Sequence, residues 1–126
     1  MEPKRKTFSK PERIAVWKKY KGHCGYCGIM LTEKTLQVDH LHPFFLQHFE
    51  PDLDPNRFEN LMPSCRKCNR FKSSFRLEDY RRELSLQVSM LKKNAQFMRA
   101  VNFGQVEITE KPIVFYFEYV DIKGSE

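Results

Sequence analysis

Residues 24–73 decide the fold, and they read CGYCGIMLTEKTLQVDHLHPFFLQHFEPDLDPNRFENLMPSCRKCNRFKS. Two Cys-x-x-Cys pairs stand near the ends of this stretch, Cys24 with Cys27 and Cys65 with Cys68. Such pairs suit one tetrahedral zinc ion, because each pair can place two thiolates on one side of the metal. The spacing therefore predicts a structural Zn²⁺ site that contributes to the stability of a small core.

The four cysteines have two other interpretations, which are two disulfides or four buried free thiols. Disulfides belong to oxidising compartments. The chain opens on MEPKRK, which is polar and basic and lacks the apolar segment of a secretory signal. We therefore expect a cytoplasmic protein whose thiols bind zinc.

Length, composition and charge limit the possible classes of protein. The 126 residues predict one domain over 1–126, with a motif core at 24–73 and an extension at 76–122. Hydrophobic residues are 40% of the chain and form no long apolar run, so a membrane span is not expected. Lys and Arg number 22 against 16 Asp and Glu, a formal net charge of +6. This excess suits a polyanion such as nucleic acid, although a solvated surface gives the same signature.

The residue patterns predict an α+β domain that begins with a helix. Ser9, followed by proline and glutamate, is an N-cap signature for a helix that runs to about Tyr20. Alternating apolar residues predict two short strands within 29–42, with a turn at 32–34. Three prolines and scattered acids predict a loop at 44–57.

The second half of the chain is predicted to be mainly helical. A short helix is expected at 65–73. Apolar residues then recur at steps of three and four over 77–98, which predicts one long amphipathic helix. Beyond Gly104, the apolar and aromatic residues of 106–120 predict a terminal β-hairpin.

Hydrolysis of a phosphodiester requires a base for water and a positive charge beside the phosphate. Three residues are candidates to provide the base and to hold a cation. Asp39 and the side-chain oxygen of Asn69 are hard ligands for a divalent cation. His40 is the candidate base, because neutral imidazole is available near pH 7. Since neighbouring side chains on a strand point to opposite faces, we expect the strand to end or bulge at Asp39 and His40.

At these positions the sequence resembles the HNH endonucleases. The resemblance is carried by CxxC at 24–27, VDHxxP at 38–43 and NLxPxCxxCNxxK at 60–72. It implies a ββα-metal core, with Asp39 as ligand of a catalytic Mg²⁺ or Mn²⁺, His40 as activator of water, and Asn60 as the brace of the histidine loop. Asn69 falls where the HNH domain of the CRISPR effector nucleases has asparagine, so the chain is of the HNN type.

A looser resemblance and one departure concern the surroundings of this motif. The long helix and the end of the chain are similar to small stand-alone HNH proteins of bacteria and their phages, some of which act in defence. The glycine pair that often follows the histidine strand is replaced by FFLQHF at 44–49. His42 would share a strand face with His40 and is interpreted as structural, with an extra ligand or an alternative base as the other readings.

The resemblance implies DNA as substrate and partner. Phosphate contacts are expected from Arg66, Lys67, Arg70 and Lys72, with a solvated helix lysine as the alternative for Lys72. No organic cofactor is expected, and double-strand cutting would require a homodimer, a partner protein or two nicks. The alternatives to an enzyme are a zinc-stabilised nucleic-acid or protein-binding module with an inactive site, and a regulator of another nuclease.

Overall fold

The computed structural model describes residues 7–43 and 52–123, which form two compact units. Among the described residues, those within Met1–Leu77 and Val114–Glu126 form one unit, and Glu78–Ile113 forms the other. In chain order the elements are α1 (Lys10–Lys18), β1 (Gln37–His40), a 3₁₀ turn (Phe58–Asn60), β2 (Leu61–Ser64), α2 (Arg66–Lys72), α3 (Leu77–Ser85), α4 (Gln87–Leu91), α5 (Ala95–Asn102) and α6 (Tyr116–Lys123). Helices beside a small antiparallel sheet confirm the α+β class.

The sheet of the first unit has two strands, β1 and β2, paired antiparallel. Asp39 lies opposite Met62, and His40 lies opposite Leu61. The strand β1 ends at His40, as the sequence analysis expected for the site. The helix α2 follows β2 after one residue, Cys65, so the order is strand, strand, helix.

Only one of the two strands predicted within residues 29–42 forms. The turn is present, because the side chains of Thr32 and Thr35 each accept a hydrogen bond from the other's backbone N–H. Before that turn the chain makes a single bridge between His23 and Met30. Leu31 N–H donates back to the carbonyl of residue 22, so this segment closes the first cysteine loop instead of pairing with β1.

The first helix begins as its sequence predicts. Ser9 Oγ accepts from Glu12 N–H, and the Glu12 carboxylate accepts from Ser9 N–H, which is a complete capping box. The helix ends at Lys18, two residues earlier than expected. Its Arg13 guanidinium donates to the carbonyls of Glu33 and Leu36. The helix thereby fixes the segment that leads into β1.

The prediction of one long helix over 77–98 is wrong, because α3, α4 and α5 occupy that range. At the first break, Ser85 Oγ donates to the carbonyl of Arg82 at 2.6 Å. At the second, Asn94 adopts an extended conformation and its side chain accepts from Phe97 N–H. Both side chains bond to nearby backbone groups, and such local bonds compete with continuation of a helix. Apolar periodicity does not register this competition.

The predicted terminal β-hairpin at 106–120 is also wrong, because α6 begins at Tyr116. Glu118 Oε1 accepts from Phe115 N–H, which is the N-terminal interaction of a helix. The N–H groups of Tyr116 and Phe117 donate to carbonyls of Tyr26 and Gly25. These bonds satisfy donors that a helix start leaves without partners, and they outweigh the strand preference of the aromatic residues.

The core of the first unit lies around the first cysteine loop and the sheet. Its buried apolar side chains include Val16, Tyr26, Leu31, Leu36, Leu61, Met62 and Phe115. Gly25 is required by this packing, since a Cβ there would collide with Met62 Sδ. In the described part of the chain, no helix combines the length and the apolar character that crossing a membrane requires.

Candidate functional site: a cysteine cluster beside the end of a strand

The four cysteines meet in one cluster, with all Sγ atoms within 4.8 Å of one another. They come from the loop before β1 and from the start of α2, and none is in a disulfide. Cys27 Sγ lies 3.8 Å from Cys65 Sγ. Sulfurs at 2.3 Å from a tetrahedral zinc are about 3.8 Å apart. The cluster is therefore positioned to hold a metal ion, and it is consistent with structural zinc.

The surroundings of the sulfurs shift the pKa values of two of the thiols in opposite directions. Cys65 N–H donates to Cys24 Sγ, and Cys68 N–H donates to Cys65 Sγ. The side chain of Cys68 hydrogen-bonds to Cys24 and lowers the pKa of that thiol. Burial raises the pKa of Cys27, and the charge of Cys24 raises it further. Four neighbouring thiolates repel one another, so a bound divalent cation is what allows all four to ionise.

Asp39 lies at the end of β1 and is almost fully buried, with 8% of its surface exposed. Tyr26 Oη donates to its Oδ2 at 2.6 Å. Lys72 Nζ lies 3.1 Å from the same oxygen. Both contacts therefore use Oδ2 and orient the carboxylate from two sides.

Lys72 occupies a different place from the one expected for a phosphate contact. Its side chain is 0% exposed, and its Nζ donates to the carbonyl of His40 at 2.9 Å as well as pairing with Asp39. The ammonium also lies 5.9 Å from the centroid of the Tyr26 ring. A lysine enclosed in this way cannot reach a DNA backbone, so the assignment of Lys72 to phosphate binding is corrected. The alternative of a solvated helix lysine is excluded by the same burial.

His40 is oriented by a residue that the sequence analysis did not select. Its Nε2 lies 2.8 Å from Asn56 Oδ1. An amide oxygen only accepts, so this contact is a hydrogen bond when Nε2 carries a proton. The Phe8 ring approaches the imidazole, with centroids 6.3 Å apart.

Asn60 joins the two ends of the loop that follows β1. Its Oδ1 accepts from His42 N–H at 2.7 Å, and its Nδ2 donates to the carbonyls of His42 and Pro55. The side chain is almost completely buried, with 3% of its surface exposed. Asn60 O also accepts from Leu41 N–H. Asn60 thus fixes the backbone directly after His40.

The remaining predicted site residues lie on α2. Asn69 donates through Nδ2 to Gln37 Oε1 at 2.6 Å. Because Gln37 and Asp39 are two residues apart on β1, they share one face of the sheet, and α2 brings Asn69 to that face. Arg66, Lys67 and Arg70 are exposed on the same helix.

Some predicted features stand outside this arrangement or beyond the described residues. The His42 side chain is exposed, although its backbone is held by Asn60. The departure at 44–49 lies outside the described residues, as does most of the predicted loop. The described remainder of that loop, 52–57, supplies Asn56, whose N–H donates to Asp54 Oδ1 in a local turn.

Sequence reasoning missed Tyr26, Gln37 and Asn56 as members of the site. Asn56 follows an Asp-Pro pair, and this turn signature is the one signal that could have pointed to it. Tyr26 stands between two zinc-spaced cysteines, where aromatic residues carry no particular expectation. Its role depends on long-range packing that no local pattern encodes.

One comparison with known proteins found a match, and it covers the stretch that contains these residues. Residues 24–75 match the family model described as HNH endonuclease, and the matched range contains the cysteine cluster, Asp39, His40, Asn60 and Asn69. Neither a search of curated proteins nor a search of solved structures found a match. Over residues 24–75 the chain therefore matches the HNH endonuclease domain, which is a domain of a nuclease family.

Proposed function

We propose that the protein is a metal-dependent endonuclease that hydrolyses phosphodiester bonds of DNA. The observation that carries this proposal is the HNH match over residues 24–75, within which β1 ends on Asp39 and His40. The end of the strand allows the two neighbouring residues to serve one site. Asp39 is supported by Tyr26 and Lys72, and His40 is oriented by Asn56.

The oxygen atoms near this strand end fit a hard divalent cation such as Mg²⁺ or Mn²⁺. Asp39 would bind it through Oδ1, because Oδ2 is engaged by Tyr26 and Lys72. Asn69 would bind through its side-chain oxygen, because its Nδ2 donates to Gln37. When bound, the cation supplies positive charge that stabilises the phosphate and the leaving oxygen.

His40 is the proposed general base. With Nε2 donating to Asn56, the Nδ1 lone pair would take the proton from the attacking water. Asn60 would act as a positioning residue, because its hydrogen bonds hold the backbone on both sides of the loop behind His40. A base with a fixed ring orientation loses less freedom as the reaction proceeds.

The proposed DNA contacts are the exposed cations of α2, namely Arg66, Lys67 and Arg70. Cations on one short helix follow a backbone of phosphates and give affinity without sequence information. The formal net charge of +6 adds long-range attraction. We expect modest sequence preference from the domain alone.

The experiment is cleavage of supercoiled plasmid by the purified, zinc-loaded protein at low salt. Parallel reactions contain Mg²⁺, Mn²⁺, or a weak chelator that leaves the zinc bound. Conversion to open circles or linear DNA that needs the added cation supports the proposal, and the product form distinguishes nicking from double-strand cutting. Plasmid that is shifted in a gel but never cut would favour the alternative of a binding module with an inactive site.

A further inference from the structure

One cation of the first unit has a role that the proposed reaction does not assign. Lys72 is completely buried, yet its ammonium contacts Asp39 Oδ2 at 3.1 Å and the carbonyl of His40 at 2.9 Å. Asp39 and His40, the strand-end pair, are the proposed ligand and base. The Lys72 ammonium therefore contacts both residues of the pair, one through its carboxylate and the other through its backbone carbonyl.

The position of this charge is fixed by contacts from separate parts of the fold. Lys72 comes from α2, the strand-end pair from β1, and Tyr26 from the first cysteine loop. The ring of Tyr26 faces the ammonium, and its hydroxyl donates to the same carboxylate oxygen that Lys72 contacts. A buried charge is tolerated when it is paired, and removal of one partner leaves the other uncompensated.

We propose that Lys72 is the resident cation of the metal site, a positioning residue that neutralises and orients Asp39 before a divalent cation binds. The same charge would then limit the affinity for that cation, since both cations share one carboxylate and repel each other. This inference rests on the proposed function, because it takes Asp39 as a metal ligand. Lys72 itself would touch neither DNA nor the attacking water.

The substitution Lys72→Met removes the charge but keeps most of the packing, because methionine has an unbranched apolar side chain. Asp39 would then be a buried carboxylate without a counter-charge, and a divalent cation would supply it. We expect Mn²⁺ to bind Lys72→Met at least about fivefold more tightly than it binds wild type. Without added cation, the variant should unfold at a lower temperature than wild type. Mn²⁺ should raise the unfolding temperature of the variant by more than it raises that of wild type.

The test is titration of Mn²⁺ into the zinc-loaded full-length protein, by calorimetry and by electron paramagnetic resonance of free Mn²⁺. The matched control is Lys34→Met, which removes a lysine that is exposed in the turn before β1. It should bind Mn²⁺ like wild type. The double variant Asp39→Asn/Lys72→Met removes both charges, and it should fold but bind no Mn²⁺ at this site.

The outcomes bear on two claims, the resident-cation role of Lys72 and the proposed function. Unchanged or weaker Mn²⁺ binding by Lys72→Met, with wild-type binding intact, overturns the resident-cation role and leaves the proposed function standing. Wild-type Mn²⁺ affinity in the double variant shows that Asp39 is not a ligand and overturns both. If Lys72→Met alone fails to fold, recovery of folding in the double variant supports the role, and failure of the double variant as well overturns it.

Discussion

The cysteine cluster and the strand-end pair both lie within residues 24–75, but they offer a metal very different surroundings. The cluster presents four soft sulfur ligands from the protein itself, which completes a tetrahedral shell. The strand-end pair presents oxygen and nitrogen atoms, with a buried ammonium already in contact with its carboxylate. A complete shell suits a structural ion, whereas an incomplete one leaves positions for water and substrate.

The largest expected effect comes from removing the structural metal. Cys65 contributes a ligand and also caps α2, so Cys65→Ser should abolish the cooperative thermal unfolding of the first unit. Loss of a structural zinc removes about 10 kcal/mol of apparent binding free energy, more than a small domain has to spare. Circular dichroism during heating, with and without a strong chelator, measures this. A zinc-free protein with an unchanged transition would contradict the structural role of the cluster.

Removing the side-chain hydrogen bonds of Asn60 to the loop after the strand-end pair should have a smaller effect on stability. Asn60→Ala removes three hydrogen bonds to the backbone of His42 and Pro55, so we expect a loss of about 3 kcal/mol in unfolding free energy. Zinc content should stay at one ion per chain. Denaturant unfolding measures this loss of unfolding free energy. The control is Asn102→Ala, which removes an exposed asparagine and should stay within about 0.5 kcal/mol of wild type. Equal stabilities for the two variants would remove Asn60 as a brace.

The exposed cations of α2 test whether this helix contacts the DNA backbone. The double variant Arg66→Ala/Arg70→Ala should keep its fold and zinc but bind DNA about tenfold more weakly. The slope of log affinity against log salt should fall by about 1.8 for two lost phosphate contacts. Fluorescence anisotropy with labelled duplex at several salt concentrations measures both. Lys18→Ala/Lys34→Ala removes two other exposed charges, and an equal loss there would mean that only net charge matters.

The smallest expected effect lies in the second unit. Asn94→Ala removes the side-chain cap of α5 and should cost about 1 kcal/mol in the stability of Glu78–Ile113. Hydrogen exchange followed by mass spectrometry should show faster exchange at the start of α5. Exchange that is unchanged there would mean that the break before α5 has another cause.

The part of the fold that could be predicted from the sequence is the part held by short-range chemistry. Cysteine spacing predicted the cluster, and the Ser9 box predicted the start of α1. The end of β1 followed from the requirement that Asp39 and His40 serve one site. These features depend on a few residues whose geometry is nearly fixed wherever they occur.

The features that the sequence did not predict depend on contacts between residues far apart in the chain, which override local preferences. The aromatic residues at 115–117 favour strands, but backbone carbonyls of the first cysteine loop accept from the N–H groups of Tyr116 and Phe117, and Glu118 accepts from Phe115 N–H. Lys72 has the sequence context of a surface lysine and becomes buried because Asp39 faces it across α2 and β1. Neither outcome can be obtained from periodicity, because the contacts with the cysteine loop and with Asp39 join residues more than 30 positions apart.

The central claim, that His40 is the base of a metal-dependent nuclease, is tested most directly by comparing His40→Ala with His42→Ala in plasmid cleavage. His42 is the matched control, because it lies two residues further on and its side chain is exposed. We predict that His40→Ala lowers the cleavage rate by about 10²–10⁴-fold while zinc content and DNA affinity persist, and that His42→Ala cuts like wild type. Cleavage at the wild-type rate by a folded His40→Ala protein would contradict the claim.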